Sequence, residues 1–265
     1  MQNRKQLYFS HKQTPELAKV VEPLKERAEK EGFTIVSNYR QADIIASIGG
    51  DNAFLQAIQK TEFKEDSLYV GISLDNLGFY TDFHINDTDH LMSSIANDEV
   101  EVRRYHTLEV TLDNESPFYC LNECSLRSNV IKTFVIDVYI DDTYFETFRG
   151  DGMIVSTPSG STGYNKSVRG AIVDPRIPSM QVSEIASINN NDYRTLGTSF
   201  ILSEDRQLKL KIVQDGNDHP IIGTDNEALS IRHAHELRIR LADKNIKVLK
   251  LKNNSFWDSI QRKFL

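Results

Sequence analysis

A short, almost wholly apolar segment that runs into two glycines most constrains the fold of this chain. Ile44–Ile48 lacks the alternation of a half-exposed strand, which is typical of a strand buried on both faces of a parallel sheet. Gly49-Gly50 follow, and Phe54, Leu55 and Ile58 then recur at helical spacing. The segment therefore predicts a buried parallel strand, a tight turn and a helix.

The same order of elements is repeated over the first hundred residues. Strands are predicted at residues 7–9, 33–36 and 68–72, and a helix at residues 89–97. Thr14-Pro15 predicts the start of another helix, because threonine caps helices and proline suits the first turn. Gly32 predicts its end. This alternation of strands and helices favours an open, mainly parallel sheet.

A different pattern begins near residue 100. Short β-branched or aromatic segments, separated by turn residues such as Asp113-Asn114, predict mostly antiparallel strands. We predict these strands at residues 109–112, 134–140, 144–148, 207–213 and 236–241. The expected organisation is an α/β domain over residues 1–100 and a β-rich domain over residues 101–252. Residues 253–265 form a short amphipathic segment that is expected to pack back on the first domain.

Composition excludes several functional classes. The 265 residues carry a formal net charge of −7, whereas nucleic-acid-binding domains more often have a basic excess. Residues 236–265 have the opposite charge balance, with eight basic and three acidic side chains. We interpret this basic excess as a solvated basic strand face. No apolar run approaches the roughly 20 residues of a membrane span, and the N-terminus has no apolar signal region. We expect neither a nucleic-acid nor a membrane partner.

The two cysteines indicate a reducing compartment. Cys120 and Cys124 lie in a segment that resembles one continuous strand, in which four residues at about 3.3 Å each hold the Cα atoms about 13 Å apart. A disulfide needs less than about 7 Å. The thiols are therefore expected to be free and the protein cytoplasmic.

No metal site formed by protein side chains is predicted. His233 and His235 have a spacing that occurs in metal sites. No cysteine or carboxylate cluster joins them in the sequence, so we interpret them as ordinary surface histidines.

The residues Gly49-Gly50-Asp51 point to phosphate chemistry. Glycines let the backbone approach a ligand closely, and the N–H groups at a helix start attract phosphate oxygens. A carboxylate beside phosphates is repulsive unless it binds a metal or accepts a proton from a hydroxyl that attacks a phosphoryl group. The alternative is that Asp51 merely caps the helix.

Two further segments carry an unusual density of polar groups. Residues 157–167 combine hydroxyls, glycines, a tyrosine and an amide, which suit a polar ligand that contains rings. The alternative is a long polar surface loop. Asn122-Glu123 provides the donors and acceptors that bind ribose hydroxyls, although adjacent residues on a regular strand point to opposite faces. The alternative for this segment is an exposed polar pair.

These segments, in this order, resemble the bacterial NAD kinases, and the resemblance extends over nearly the whole chain. The matching segments are Gly49-Gly50-Asp51, Asn76-Leu77-Gly78-Phe79-Tyr80-Thr81-Asp82, Asn122-Glu123, Arg149-Gly150-Asp151-Gly152, residues 156–164, residues 184–189 and Phe256-Trp257. Gly-Gly-Asp alone also occurs in lipid and sugar kinases, but the joint set is specific.

The resemblance implies a fold, a reaction and a set of site residues. The second domain would consist of stacked β-sheets, and the chain would form a homo-oligomer, commonly a tetramer. The first domain would bind the phosphate donor and the second would bind NAD. Asp51 would accept the proton of the adenosine 2′-hydroxyl of NAD⁺ as that hydroxyl attacks the γ-phosphoryl group of ATP, with Mg²⁺ or another divalent cation as cofactor. The other implied residues are Gly49, Gly50 and Asn52 for the phosphates, and Phe79, Asn122, Glu123, Asp151, Ser159, Thr162, Tyr164, Ser167, Ala186, Ile188 and Asp225 for NAD.

The sequence departs from the family pattern in the loop that carries Asp51. Asn52-Ala53 stands where the family usually has Gly-Thr, and Gly163 stands where alanine is usual. Asparagine tolerates a left-handed backbone better than most residues, so the turn can be preserved. Three alternatives remain open from sequence: a weakly active NAD(P)-binding regulator, polyphosphate as the donor, and a Gly-Gly-Asp kinase for a lipid or another small alcohol.

Overall fold

The computed structural model describes residues 5–213, 220–230 and 234–265, so His233 lies outside the described residues. The chain divides into two compact units. The first comprises Met1–Arg104 and Ile246–Leu265, and the second comprises Tyr105–Asn245. Two long strands, Val100–Leu112 and Glu236–Leu251, carry the chain from one unit to the other. Among the described residues, no helix has both the length and the apolar character that a membrane crossing requires.

The elements are numbered along the chain. The strands are β1 (Gln6–Ser10), β2 (Thr34–Ile35), β3 (Ile44–Ile48), β4 (Leu68–Ser73), β5 (Thr81–His84), β6 (Val100–Leu112), β7 (Phe118–Cys120), β8 (Glu123–Arg127), β9 (Phe134–Ile140), β10 (Thr143–Gly150), β11 (Gly152–Ser156), β12 (Ser179–Ile185), β13 (Phe200–Ser203), β14 (Gln207–Ile212), β15 (Ile221–Thr224), β16 (Glu227–Ser230) and β17 (Glu236–Leu251). The helices are α1 (Pro15–Lys30), α2 (Asp51–Lys60), α3 (Thr88–Ala96), α4 (Tyr164–Ser167) and α5 (Phe256–Phe264).

Helix α1 begins and ends where the sequence predicts. The Thr14 hydroxyl accepts a hydrogen bond from the Leu17 N–H at 3.4 Å, and Pro15 occupies the first helical position. Pro23 lies inside the helix without ending it. Gly32 follows with φ +87°, a conformation that favours glycine after a helix.

The sheet of the first unit is parallel. Its strands are ordered β2-β1-β3-β4, and both β5 and the end of β17 pair with β4 in parallel. Side chains such as Val21, Ile48, Ile72, Phe83 and Leu249 form its buried apolar core. The prediction of an open, mainly parallel sheet is confirmed.

The second unit contains two groups of strands that share one apolar core. One is the six-stranded antiparallel sheet β13-β12-β11-β8-β15-β16, and the other includes the antiparallel series β10-β9-β14-β17 together with β6 and β7. Buried residues of both groups, including Ile136, Met153, Val182 and Ile239, belong to a single cluster. The predicted stacked β-sheets are therefore confirmed.

The segment from Cys120 to Cys124 differs from its prediction. It is not one strand, because β7 ends at Cys120 and β8 begins at Glu123. The two buried thiols consequently contact each other instead of standing about 13 Å apart. The cysteines are free, as predicted, but the predicted separation was wrong.

Candidate active site

Gly49 and Gly50 form a tight passage from strand β3 to helix α2. Gly49 has φ +140°, and a Cβ added there would lie 2.5 Å from the Cβ of Ala53. Gly50 is the N-cap residue of α2 and provides no side-chain hydrogen bond to its first turn. Asn52 is exposed in that turn, and Ala53 lies beside Gly49. The Asn52-Ala53 departure is thus accommodated without loss of the strand, turn and helix.

Asp51 does not cap the helix that it begins. Its Oδ2 accepts a hydrogen bond from the Phe79 N–H at 2.9 Å, and its Oδ1 accepts one from the Tyr80 N–H at 3.0 Å. The Lys263 ammonium lies 3.4 Å from Oδ2. The carboxylate is therefore directed at a neighbouring loop, which contradicts the alternative that Asp51 is only a helix cap.

Gly78 allows that loop to lie directly against Asp51. A Cβ added at Gly78 would be 1.8 Å from the Asp51 Oδ1, so any side chain there would displace the carboxylate. The Gly78 N–H donates to the Thr81 hydroxyl at 2.6 Å, which tightens the turn. The matching segment between Asn76 and Asp82 thus has a physical role, which is to hold the Asp51 carboxylate.

A buried ion pair supports the same loop. Lys250 donates to the Phe79 carbonyl at 3.0 Å and to the Asp82 carboxylate. Asp82 also accepts from the Leu251 N–H and the Asn254 amide, both at 2.8 Å. Burial lowers the pKa of Lys250, and the charge of Asp82 opposes that shift. The backbone of Phe79 is consequently held on both sides, because its N–H donates to Asp51 and its carbonyl accepts from Lys250.

The C-terminal helix packs on Phe79. The centroid of the Phe79 ring lies 5.9 Å from that of Phe256 and 5.7 Å from that of Phe264. The ammonium of Lys263 lies 5.1 Å from the centre of the Phe79 ring. The sequence indicated neither Lys250 nor Lys263. For Lys250, one signal was available: a single lysine within the apolar run Val248-Leu249-Lys250-Leu251.

A second group of predicted residues is assembled within the other unit around Asp225. Its carboxylate accepts hydrogen bonds from the N–H groups of Leu121 at 2.9 Å, Asn122 at 2.7 Å and Glu123 at 3.2 Å. Burial raises the pKa of Asp225 to about 6, against the effect of these three donors. Asp225 therefore fixes the bend that separates β7 from β8.

Glu123 is the buried carboxyl group of this cluster. Burial raises its pKa to about 8, and the charge of Asp225 adds to the shift. The group accepts from the Tyr164 N–H, whereas its Oε2 is buried without a hydrogen-bond partner in the part of the chain that the structure describes. A Cβ at Gly163 would lie 2.9 Å from that oxygen. Glu123 is thus not part of an exposed polar pair, because it is buried against the hydroxyl-rich loop.

The loop over residues 157–167 is largely buried, which contradicts the surface-loop alternative. The Thr157 hydroxyl donates to the Leu121 carbonyl at 2.6 Å and lies 3.1 Å from the Ser159 hydroxyl. Asn165 is fully buried and accepts from the Ser183 hydroxyl at 2.7 Å. Thr162 donates to the Ser159 carbonyl at 3.2 Å. The loop therefore presents a fixed surface next to Asn122 and Glu123.

The remaining predicted residues lie elsewhere in the two units. Asp151 and Ile188 lie at one end of β10, where the Asp151 N–H donates to the Ile185 carbonyl at 2.9 Å and the Ile188 N–H donates to the Arg149 carbonyl at 2.8 Å. Ala186 directly follows the end of β12 and has φ +47°. Ser167 is exposed at the end of α4. Phe79 belongs to the first unit, beside Asp51.

Comparison with known proteins gives consistent results. Residues 121–251 match the family model described as the ATP-NAD kinase C-terminal domain. The chain is 64% identical to NAD kinase 2 of Halalkalibacterium halodurans over 265 residues, which is 100% of both chains. It is 57% identical to NAD kinase 2 of Bacillus subtilis over 263 residues, which is 99% of this chain and 98% of the relative.

Solved structures show the same fold at low sequence identity. Yeast NADH kinase complexed with NADH superposes with a TM-score of 0.80 at 18% identity, over 99% of this chain and 88% of that chain. An NAD kinase from Archaeoglobus fulgidus in complex with ATP superposes with a TM-score of 0.71 at 20% identity, over 94% of both chains.

Proposed function

This chain belongs to the NAD kinase family, and we propose that Asp51 is the base of its reaction. NAD kinases transfer the γ-phosphoryl group of ATP to the adenosine 2′-hydroxyl of NAD⁺. Asp51 accepts the hydroxyl proton, the hydroxyl oxygen forms a bond to the γ-phosphorus, and the bond from that phosphorus to the leaving oxygen of ADP breaks. The products are NADP⁺ and ADP.

One observation carries this assignment: Asp51 begins a helix, yet its carboxylate is held by the N–H groups of Phe79 and Tyr80. Two donors from one loop fix the orientation of the carboxylate, and a general base must be so fixed to reach its proton. The Gly49 N–H donates to the Ile72 carbonyl at 2.8 Å, whereas the first turn of α2 after it offers backbone N–H groups and a favourable dipole for phosphate oxygens. Asn52, in the same turn, is proposed to contact the phosphates.

The second unit is proposed to bind the adenosine part of NAD⁺. Asn122 and the unpartnered oxygen of Glu123 suit ribose hydroxyls, which both donate and accept hydrogen bonds. Asp225 acts by holding the backbone of both residues. The other proposed contacts of this unit are Ser159, Thr162, Tyr164 and Ser167, with Asp151, Ala186 and Ile188 lining the pocket at a subunit boundary.

A divalent cation, Mg²⁺ in the first instance, is proposed to arrive with the nucleotide. The described residues contain no group of three or more His, Cys, Asp or Glu side chains that could hold a metal ion by themselves. Mg²⁺ usually binds through one or two carboxylates and the phosphates of the substrate, so the phosphates of the donor would provide most of its ligands here. When bound, the cation neutralises charge on the transferred phosphoryl group.

We propose a homo-oligomer, with a tetramer as the expected form, in the cytoplasm. Several strands of the second unit expose large apolar side chains, among them Tyr144 (56%), Ile201 (51%) and Leu229 (42%). Such exposure on several strands favours a protein interface. The free thiols of Cys120 and Cys124 agree with a reducing compartment.

The deciding experiment is NADP⁺ formation from NAD⁺, ATP and Mg²⁺ with the native protein and Asp51→Asn. We expect the variant to lose about 10²- to 10⁴-fold in kcat, the usual contribution of a general base. Asp66→Asn, an exposed aspartate of the same unit, should retain full activity. An Asp51→Asn variant with native kcat would overturn the assignment.

Replacing ATP by inorganic polyphosphate in the same assay tests the identity of the phosphoryl donor. Binding of NAD⁺ without product from either donor would support the alternative of an NAD(P)-binding regulator.

A further inference from the structure

Lys263 is a cation in direct contact with the proposed base. Its ammonium lies 3.4 Å from the Asp51 Oδ2, and the two side chains are 31% and 24% exposed, respectively. The charge pattern of the C-terminal residues predicted a solvated strand face. Lys263 contradicts that interpretation, because it lies on helix α5 and points at Asp51.

Helix α5 holds this lysine in place. Ser255 and Asp258 form a reciprocal capping box at its start, which fixes the first turn. Phe256 and Phe264 both pack on the Phe79 ring, so the helix is attached at each end to the loop that binds Asp51. The lysine is thus presented by a capped and packed helix rather than by a loose C-terminus.

The charge of Asp51 creates a need for such a cation. A carboxylate at the start of α2 repels the phosphates that the same helix start attracts. A lysine ammonium has three donors on a flexible stem, so it can remain near a carboxylate and also bind phosphate oxygens. The contact between Lys263 and Asp51 places an ammonium donor beside the carboxylate that would otherwise repel the phosphates.

We propose that Lys263 binds the terminal phosphates of the phosphoryl donor beside Asp51. This inference rests on the proposed function and adds to it a phosphate-binding residue from the C-terminal helix. The ligand class is a triphosphate chain, whether of ATP or of an inorganic polyphosphate. The interaction neutralises the donor where Asp51 would otherwise repel it.

The test compares Lys263→Met, Lys263→Arg and the matched control Arg262→Met by calorimetric titration with ATP and with inorganic triphosphate, without NAD⁺. Arg262 lies in the same helical turn and donates to the Ser259 hydroxyl at 3.1 Å. We expect Lys263→Met to weaken binding of both ligands about tenfold to a hundredfold, the range for a lost charge-assisted hydrogen bond. Lys263→Arg should recover much of the affinity, and Arg262→Met should stay within about twofold of the native protein.

Steady-state kinetics separates this role from a purely structural one. The KM for ATP should rise in Lys263→Met, whereas the KM for NAD⁺ should stay within about twofold. Unchanged binding of both ligands by Lys263→Met, with or without a lower kcat, would overturn the proposal. If the native protein itself neither bound ATP nor formed NADP⁺, the proposed function would fail instead, so the two failures are distinguishable.

Discussion

Lys250 and Asp82 form an ion pair whose side chains are 2% and 0% exposed, respectively, and which holds the loop beside Asp51. Charges removed from water in this way are costly unless every polar atom finds a partner. Here Lys250 also donates to the Phe79 carbonyl, and Asp82 also accepts from Leu251 and Asn254. Because Phe79 in turn donates to Asp51, the buried pair and the proposed base are two hydrogen bonds apart.

Lys250→Met should strongly destabilise the protein, because it leaves the Asp82 carboxylate buried without its cation. We expect a loss of about 3–5 kcal/mol in the free energy of unfolding, measured by urea denaturation. The matched control is Lys252→Met, two residues further along the chain and just after the end of β17, whose pair with Asp98 is exposed. That change should cost less than about 1 kcal/mol. Equal losses of unfolding free energy in the two variants would show that the buried pair stabilises the protein no more than the exposed pair does.

Gly78→Ala should lower kcat as well as stability. The new Cβ would lie 1.8 Å from the Asp51 Oδ1, so the carboxylate must move away from the N–H groups that orient it. We expect kcat to fall at least about 10²-fold, since misplacement of a catalytic group by about 1 Å has that effect. Urea denaturation should show a loss of about 1–3 kcal/mol, as for other overpacked sites.

The control for Gly78→Ala is Asp75→Ala in the same loop, where the side chain is exposed. It should leave kcat within about twofold of the native value. A Gly78→Ala enzyme with native kcat would mean that the close approach of Gly78 to Asp51 has no part in orienting the carboxylate.

Ile201→Glu should disrupt self-association. This side chain is 51% exposed on β13, at the edge of the six-stranded sheet, and a buried charge in an interface is costly. We expect a smaller assembly in sedimentation-velocity experiments and weaker NAD⁺ binding, because Asp151, Ala186 and Ile188 are proposed to line the pocket at a subunit boundary. Val20→Glu, at an exposed apolar position of α1, is the control. A native-sized assembly in Ile201→Glu would exclude this strand from the interface.

The sequence predicted the elements whose signals are local. The apolar run of β3, the Thr14-Pro15 start of α1 and the turn at Gly49-Gly50 each follow from neighbouring residues, and the structure confirms them. Lys250 and Lys263 were missed because their partners lie 168 and 212 residues away in the chain. No local pattern reports a contact of that range.

The bend at Leu121-Asn122 shows a second limit of local patterns. The aromatic and apolar residues of the segment favour an unbroken strand, so the cysteines were predicted to lie far apart. The bend is held by the Asp225 carboxylate, which accepts from three successive N–H groups about a hundred residues earlier. On a regular strand, Asn122 and Glu123 would point to opposite faces and could not bind one ligand together. The bend removes this objection, because the two residues do not lie on one regular strand.

The protonation of Glu123 should make stability depend on pH. Its pKa is about 8 in the folded protein, because of burial and then the charge of Asp225, against about 4.3 in an unfolded chain. The folded state therefore binds more protons between these values, so the contribution of Glu123 to stability is full below about pH 4 and is lost as the pH rises to about 8. Relative to Glu123→Gln, the native protein should lose about 3 kcal/mol between pH 5 and pH 8.

Urea denaturation at pH 5, 6.5 and 8 measures this difference directly. Glutamine resembles the protonated carboxyl group in shape but does not titrate, so the difference between the two proteins isolates the ionisation of Glu123. Glu227→Gln, at an exposed position of β16, retains Glu123 and should therefore lose stability with rising pH in parallel with the native protein. If the native protein and Glu123→Gln changed in parallel with pH, Glu123 would be ionised in the folded state across this range. A ribose hydroxyl would then meet a carboxylate that only accepts hydrogen bonds, rather than a carboxyl group that can also donate one.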